Sequence, residues 1–276
     1  MHTSAHERMS NPTSAGIKYQ EKLSGFPRQR TISLVADPFD RTISLEFSRC
    51  FAYTAREGQD MKRSMKGKLI TFEGVEGCGK TTQMNLICHE LDSRGKAYIR
   101  TREPGGTRIG EQIRKILMDP QNTDLSDMAE LLLYIADRAQ HVARRILPAL
   151  NQGLLVVCDR FMDATVAYQG DGRGLNRSHI LRLNQIATDG LKPDLTLLID
   201  IPVEIGLERA RKRNKDQGIG HSEGRFEEEA VDFHNRVRTG YLHLAELEPE
   251  RFKVIDGRLS PEASHRQILS LMEPLL

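Results

Sequence analysis

The sequence predicts an α/β protein built on a doubly wound, parallel sheet of five strands flanked by helices. Three observations predict it. From Lys68 onward, short apolar runs alternate with helix-length segments, the pattern of strand–helix–strand units. Two of the runs, "LLVVCD" (154–159) and "DLTLLID" (194–200), are continuously apolar and end in Asp, as strands covered on both faces do. A glycine-rich turn joins the first strand to the first helix.

In order, "LITF" (69–72) reads as the first strand and 80–94 as the helix after the turn. "AYIRT" (97–101) is the second strand, and "TRIGEQIRKILMD" (107–119) a helix. A long helix is expected over 126–151, with Leu131, Leu132, Ile135, Val142, Ile146 and Leu150 as its apolar positions. The strands at 154–159 and 194–200 follow, then helices at 176–189, 203–213, 226–247 and 261–274 and a last strand, "FKVID" (252–256). One domain over 65–276 accounts for all of them.

Residues 1–64 differ. They are rich in Ser, Thr, Arg and His, with no sustained helical period, and "RTISL" occurs at both 30–34 and 41–45. Two copies of five residues make no solenoid, and disorder is the expectation. Glu7, Glu21, Asp37, Asp40 and Glu46 interrupt the positive charge that a targeting peptide needs. Met61 and Met65 stand directly before the first strand, so function is not expected to depend on the prefix.

Composition narrows the function classes. With 40 Lys plus Arg against 38 Asp plus Glu, the net charge of +2 argues against a dedicated nucleic-acid binder. No apolar run is long enough to span a bilayer, so no membrane partner is expected. Cys50, Cys78, Cys88 and Cys158 lack zinc spacing and disulfide density, which fits thiols in a reducing cytoplasm.

The turn carries the chemistry. Gly74-Val75-Glu76-Gly77-Cys78-Gly79-Lys80-Thr81, followed by Thr82, has the G-x-x-x-x-G-K-[ST] spacing of a P-loop NTPase. Glycines there let successive backbone N–H groups converge on phosphate oxygens, and the helix that follows offers its positive N-terminus. Lys80 would reach the β- and γ-phosphates, and the Thr81 hydroxyl a Mg²⁺ ion. A GTPase switch would need N-K-x-D; Asn214-Lys215-Asp216 puts its Asp one position early, in what reads as a polar loop. A phosphoryl-transfer enzyme should instead offer a second anion site lined by arginines.

Several segments supply such a site. "TREPGGT" (101–107) lies at the carboxyl end of the second strand, where ligands bind in open α/β sheets. Tyr134 and Arg138 stand four residues apart on one helix face, suiting a flat base and a phosphate; alone, the pair reads more often as a core tyrosine and a surface arginine. Asp159 ends a strand and can hold metal-bound water, with Arg160 pointing into the cleft.

Together "FEGVEGCGKTTQ", "TREPGGT", "LLLYIADRAQHV", "DRFMDATVAYQGDGRG" and "RFEEEAVDFHNRVRTGYLHLAE" resemble the bacterial thymidylate kinases, over about 67–275. The resemblance implies a nucleoside-monophosphate-kinase fold, γ-phosphoryl transfer from ATP with Mg²⁺ to dTMP, a homodimer and a cytoplasmic location. It places Glu76 beside the deoxyribose 3′-hydroxyl and Arg114 and Arg160 around the monophosphate. Tyr134 stands where the family usually stacks a Phe on thymine, and Arg138 where an arginine reads a base edge. Thr165 and Gln169 fall at base-binding positions, Ala164 replaces a frequent Ser, and Tyr168 crowds the sugar 2′ position. Some members carry a basic residue in the P-loop where this chain has Gly77; the others use a lid arginine. The lid is expected at about 211–226, with Arg213 as best match and Arg209, Arg211 and Arg225 as neighbours that could share its task.

Overall fold

A computed structural model describes residues 66–216, 225–226 and 229–276 of the chain. The expected disordered prefix, and the centre of the expected lid, lie outside the described residues.

β1 (Leu69–Glu73) is buried at every position, because it is the central strand of a five-stranded sheet ordered β2-β3-β1-β4-β5. β3 (Leu155–Asp159) and β4 (Leu195–Asp200) flank it, and β2 (Tyr98–Arg102) and β5 (Phe252–Asp256) form the edges. Every pairing is parallel, Ile70 standing opposite both Val157 and Leu195. The pleat sends alternate side chains to opposite faces. Ile70, Phe72, Leu155 and Val157 join one apolar cluster, while Leu69, Val156 and Cys158 join another. The inner strands are therefore apolar throughout; in the edge strand β2 only Thr101 is buried.

α1 (Lys80–Ser93) opens directly after the glycine turn and packs on β1 and β3. α2 (Arg108–Met118), α3 (Asp127–His141), α6 (Arg177–Thr188) and α9 (Pro261–Met272) start at Thr107, Ser126, Asn176 and Ser260, whose side-chain oxygens accept from N–H groups of the first turn. α7 (Val203–Asp216) follows β4, and α8 (Val231–Leu247) packs against β4 and β5.

Four expectations need correction. The helix expected over 126–151 is interrupted: it widens into a π-helical turn at Val142–Ile146 before α4 (Leu147–Asn151). Pro148 has no N–H to donate and its ring crowds the preceding turn, which a wider turn relieves. The segment after β3, read without a helix, forms the short α5 (Met162–Thr165) and a π-helical stretch, Val166–Gly172. α7 extends to Asp216, so Asn214, Lys215 and Asp216 form its last turn and not a loop. α8 begins at Val231, five positions later than expected, because Phe226 spends its apolar ring in the cavity described below.

Among the described residues no helix is long and apolar enough to cross a membrane, and Cys78, Cys88 and Cys158 are buried free thiols.

Candidate active site

The carboxyl ends of β1, β2 and β3 open on one cavity of about 310 Å³. Glu76 and Gly77 follow β1, Glu103 and Pro104 follow β2, and Asp159 and Arg160 end or follow β3. A second cavity, of about 610 Å³, lies over the glycine turn and α1 and is lined by Cys78, Gly79, Thr82 and Arg209. The two meet at Gly77, Lys80, Thr81 and Arg213, which line both.

The turn joins β1 to α1 where its spacing places it. Lys80 is the first residue of α1, and its ammonium group donates to Gly74 O and Val75 O, both at 3.1 Å. Gly77 has φ +67, and a Cβ there would lie 1.9 Å from Gly206 O in α7. The loop and α7 thus touch backbone to backbone, leaving no room for a side chain at Gly77.

Arg160 is held hard. Its φ of +64 is left-handed, a conformation costing a non-glycine residue about 1–2 kcal/mol. Its N–H donates to Phe72 O at 3.0 Å, and the next N–H, of Phe161, donates to Glu73 Oε1 at 2.7 Å. The guanidinium donates to Glu76 Oε1 at 3.0 Å and to the hydroxyls of Tyr168 and Tyr241 at 2.8 and 3.0 Å. Its Nε and one further Nη1 hydrogen have no partner among the described residues. Burial works against this cation, but Tyr168, Tyr241, Glu76 and Glu73 around it outweigh that.

The two carboxyl groups beneath it differ. Burial, aided by repulsion from Asp163, pushes Glu73 up to about 7 although Tyr241 donates to it at 2.6 Å. Burial would also raise Glu76, but the His234 ring and the Arg160 and Lys80 cations hold it well below the usual carboxylate range. His234 Nδ1 lies 3.2 Å from Glu76 Oε2 without hydrogen-bond alignment, so the Arg160 contact is the firmer one.

The outer wall is aromatic. Phe226 inserts between Tyr168 (5.6 Å between ring centroids) and Tyr134 (6.5 Å), and stacks on Phe233. Burial raises the Tyr134 hydroxyl above its ordinary range. The bland expectation for Tyr134 and Arg138 is inverted: Arg138 is 1% exposed and Tyr134 is half-buried. Arg138 donates to Glu103 at 2.8 Å, Asn184 at 2.6 Å and Phe161 O at 3.0 Å, while still lining the cavity. Arg114, Thr165, Tyr168 and Gln169 line it too, and Arg114 donates to Pro104 O at 3.3 Å. The Thr165 hydroxyl is buried without a partner among the described residues, as expected where a polar ligand completes the wall.

Thus the first cavity gathers Glu76, Gly77, Lys80, Thr81, Arg114, Tyr134, Arg138, Asp159, Arg160, Thr165, Tyr168, Gln169 and Arg213, while Cys78, Gly79 and Thr82 face the second. Gly74 and Val75 serve through their carbonyls on Lys80. Sequence reasoning passed over Glu73, Glu103, Glu130, Asn184, Phe226 and Tyr241. Glu73, Glu103, Phe226 and Tyr241 sit inside segments singled out above and were within reach; Glu130 and Asn184 are recognisable only by their distant partners.

Two hard oxygen donors, the Thr81 hydroxyl and the Asp159 carboxylate, line the first cavity. No cluster of three or more metal-binding side chains exists among the described residues. That donor set fits a Mg²⁺ ion completed by phosphate and water, and not a caged metal.

A phosphate cradle after the central strand, facing an arginine-lined pocket with an aromatic wall, defines a P-loop phosphotransferase of the nucleoside-monophosphate-kinase class. The family model described as thymidylate kinase matches residues 72–268. A thymidylate kinase from Desulfovibrio desulfuricans is 51% identical over 75% of this chain and 95% of its own. One from Geotalea uraniireducens is 57% identical over 69% and 89%. The crystal structure of thymidylate kinase from Ehrlichia chaffeensis superposes with a TM-score of 0.58 at 33% identity, covering 75% of this chain and 98% of that one. The chain belongs to the thymidylate kinase family.

Proposed function

We propose that the two cavities hold the two substrates of one transfer, ATP over the glycine turn and dTMP in the arginine-lined pocket. The chain phosphorylates dTMP to dTDP with ATP as donor. The observation that carries the assignment of sites is the meeting of the cavities at Gly77, Lys80, Thr81 and Arg213, where a γ-phosphoryl group and an acceptor phosphate would face each other.

The acceptor oxygen of dTMP forms the new bond to the γ-phosphorus as the bond to the ADP oxygen breaks. That oxygen is already anionic, so no general base is required. The transition state is loose, with charge on the moving group, and the protein's work is alignment and charge placement. Lys80 holds the β- and γ-phosphates. Arg160, fixed by Glu76, Tyr168 and Tyr241, turns its remaining donors to the acceptor phosphate, with Arg114 beside it. Arg213, at the end of α7 in both cavities, is the lid arginine. Thr81 and Asp159 are the residues that would hold a Mg²⁺ ion, which when bound would neutralise charge on the nucleotide phosphates. Tyr134 stacks on the base, Arg138, Thr165 and Gln169 meet its edge, and Glu76 and Tyr168 meet the sugar.

A homodimer goes with this reading. Ile109 and Ile116 of α2, Leu132 of α3 and Ile186 of α6 are exposed large apolar residues, and light scattering on purified protein tests whether they are covered in solution. The buried free thiols fit a cytoplasmic location.

The deciding assay follows ADP release with ATP, Mg²⁺ and dTMP, dUMP, dCMP, dGMP or AMP. dTMP should turn over best; preference for a purine nucleotide would overturn the assignment of the pocket.

A further inference from the structure

Glu130 of α3 lies behind the base-binding wall, fully buried. Its Oε1 accepts from Gln169 Nε2 at 2.8 Å and from Arg173 Nε at 3.4 Å. Its Oε2 accepts from Arg173 Nη2 at 3.2 Å and from Arg225 Nη1 at 2.6 Å. Between two guanidinium groups, the carboxylate only accepts. The Gln169 amide therefore has one orientation open to it: nitrogen toward Glu130, oxygen away. Gln169 Oε1 has no partner among the described residues, and it is not one of the side-chain oxygens sealed from solvent, so it opens on the cavity that Gln169 lines.

We propose that Glu130 is the positioning residue for pyrimidine choice: by taking the Gln169 amide nitrogen, it presents an acceptor to the base edge. An acceptor suits a base whose ring nitrogen carries hydrogen, as in thymine and uracil. It repels the ring nitrogen lone pair of cytosine. The inference rests on the base lying against Thr165 and Gln169, as argued above, and adds the device that sets the polarity of that wall. The same carboxylate fastens Arg225, and with it Phe226, which packs against Tyr168 and Tyr134.

Glu130→Gln tests this directly, because the new amide has one oxygen to offer. The shortest bond, to Arg225 at 2.6 Å, and the one to Arg173 Nη2 both demand that oxygen. The new NH₂ then faces Gln169, whose amide must turn over and point its own nitrogen into the cavity. Full-length wild type, Glu130→Gln and Gln169→Leu are compared by kcat/KM with dTMP and with dCMP. Both variants should lower the dTMP-to-dCMP ratio by about tenfold or more, Glu130→Gln by losing dTMP turnover while dCMP turnover holds or rises. A purely structural Glu130 would depress both substrates together, and a ratio within about twofold of wild type in Glu130→Gln overturns the proposal. If Glu130→Gln does not fold, Gln169→Leu decides alone, and an unchanged ratio there is equally fatal. A wild type without preference for dTMP would instead refute the pocket assignment, a separate failure.

Discussion

Replacing Gly77 with alanine puts a methyl group where the backbone of α7 already lies. The new Cβ would stand 1.9 Å from Gly206 O, 2.8 Å from its carbonyl carbon and 3.1 Å from Ala210 N. All three neighbours are main-chain atoms, so no side chain can swing aside; loop and helix must separate by more than about 1 Å to reach ordinary contact. The φ of +67 adds its own cost. Left-handed backbone costs alanine about 1–2 kcal/mol, and overpacking of this kind about 1–3 kcal/mol. The sum, about 2–5 kcal/mol, should appear as a fall in the denaturation midpoint, with Tm lower by roughly 5–15 °C. A phosphate cradle shifted by about 1 Å should also lose about 100-fold in kcat. Gly79→Ala is the control for stability: its φ is +106 but nothing lies within 4 Å of the added carbon, so only the backbone cost applies. A Gly77→Ala protein with wild-type melting and kcat would refute the backbone contact.

Arg213→Ala should lower kcat by about 10²–10⁵-fold with little change in KM for either nucleotide; an unchanged kcat in a coupled assay removes Arg213 from the mechanism. Glu73 is raised to about 7 when folded, against 4.5 ordinarily, so its contribution is fully present below about 4.5 and lost as pH rises through about 7. Glu73→Gln should therefore gain on wild type across that window, by up to about 3 kcal/mol, and parallel Tm–pH curves for the two proteins would show the assignment wrong. Arg251 donates to Asp163 at 2.7 and 2.9 Å and to Thr196 at 2.8 Å. Arg251→Met strands the buried Asp163 and should cost about 3–5 kcal/mol in chemical denaturation, with a loss under about 1 kcal/mol counting against that pairing.

What was legible along the chain is what neighbours in sequence decide. The runs at 154–159 and 194–200 became Leu155–Asp159 and Leu195–Asp200 because a strand covered on both faces must be apolar throughout. The helix starts at Thr107, Ser126, Asn176 and Ser260 are local capping chemistry. The phosphate cradle is a matter of glycine spacing within eight residues. Less visible were features whose cause lies far away. Phe226 looked like the start of a helix until Tyr168 and Phe233 claimed its ring. The π-helical stretch carrying Tyr168 and Gln169 has no local signal in its residues.

Periodicity, caps and the glycine turn were thus determined by the chain itself, because backbone geometry and one-sided burial act over a few residues. The fate of each charge was decided only by the tertiary structure. Arg138 is buried because Glu103 and Asn184 meet it from 35 and 46 residues away, and burial beside Asp163 lets Glu73 keep its proton at higher pH although Tyr241, 168 residues distant, donates to it. A buried polar group is stable only when its partners arrive with it, and which partners arrive is a property of the sheet order.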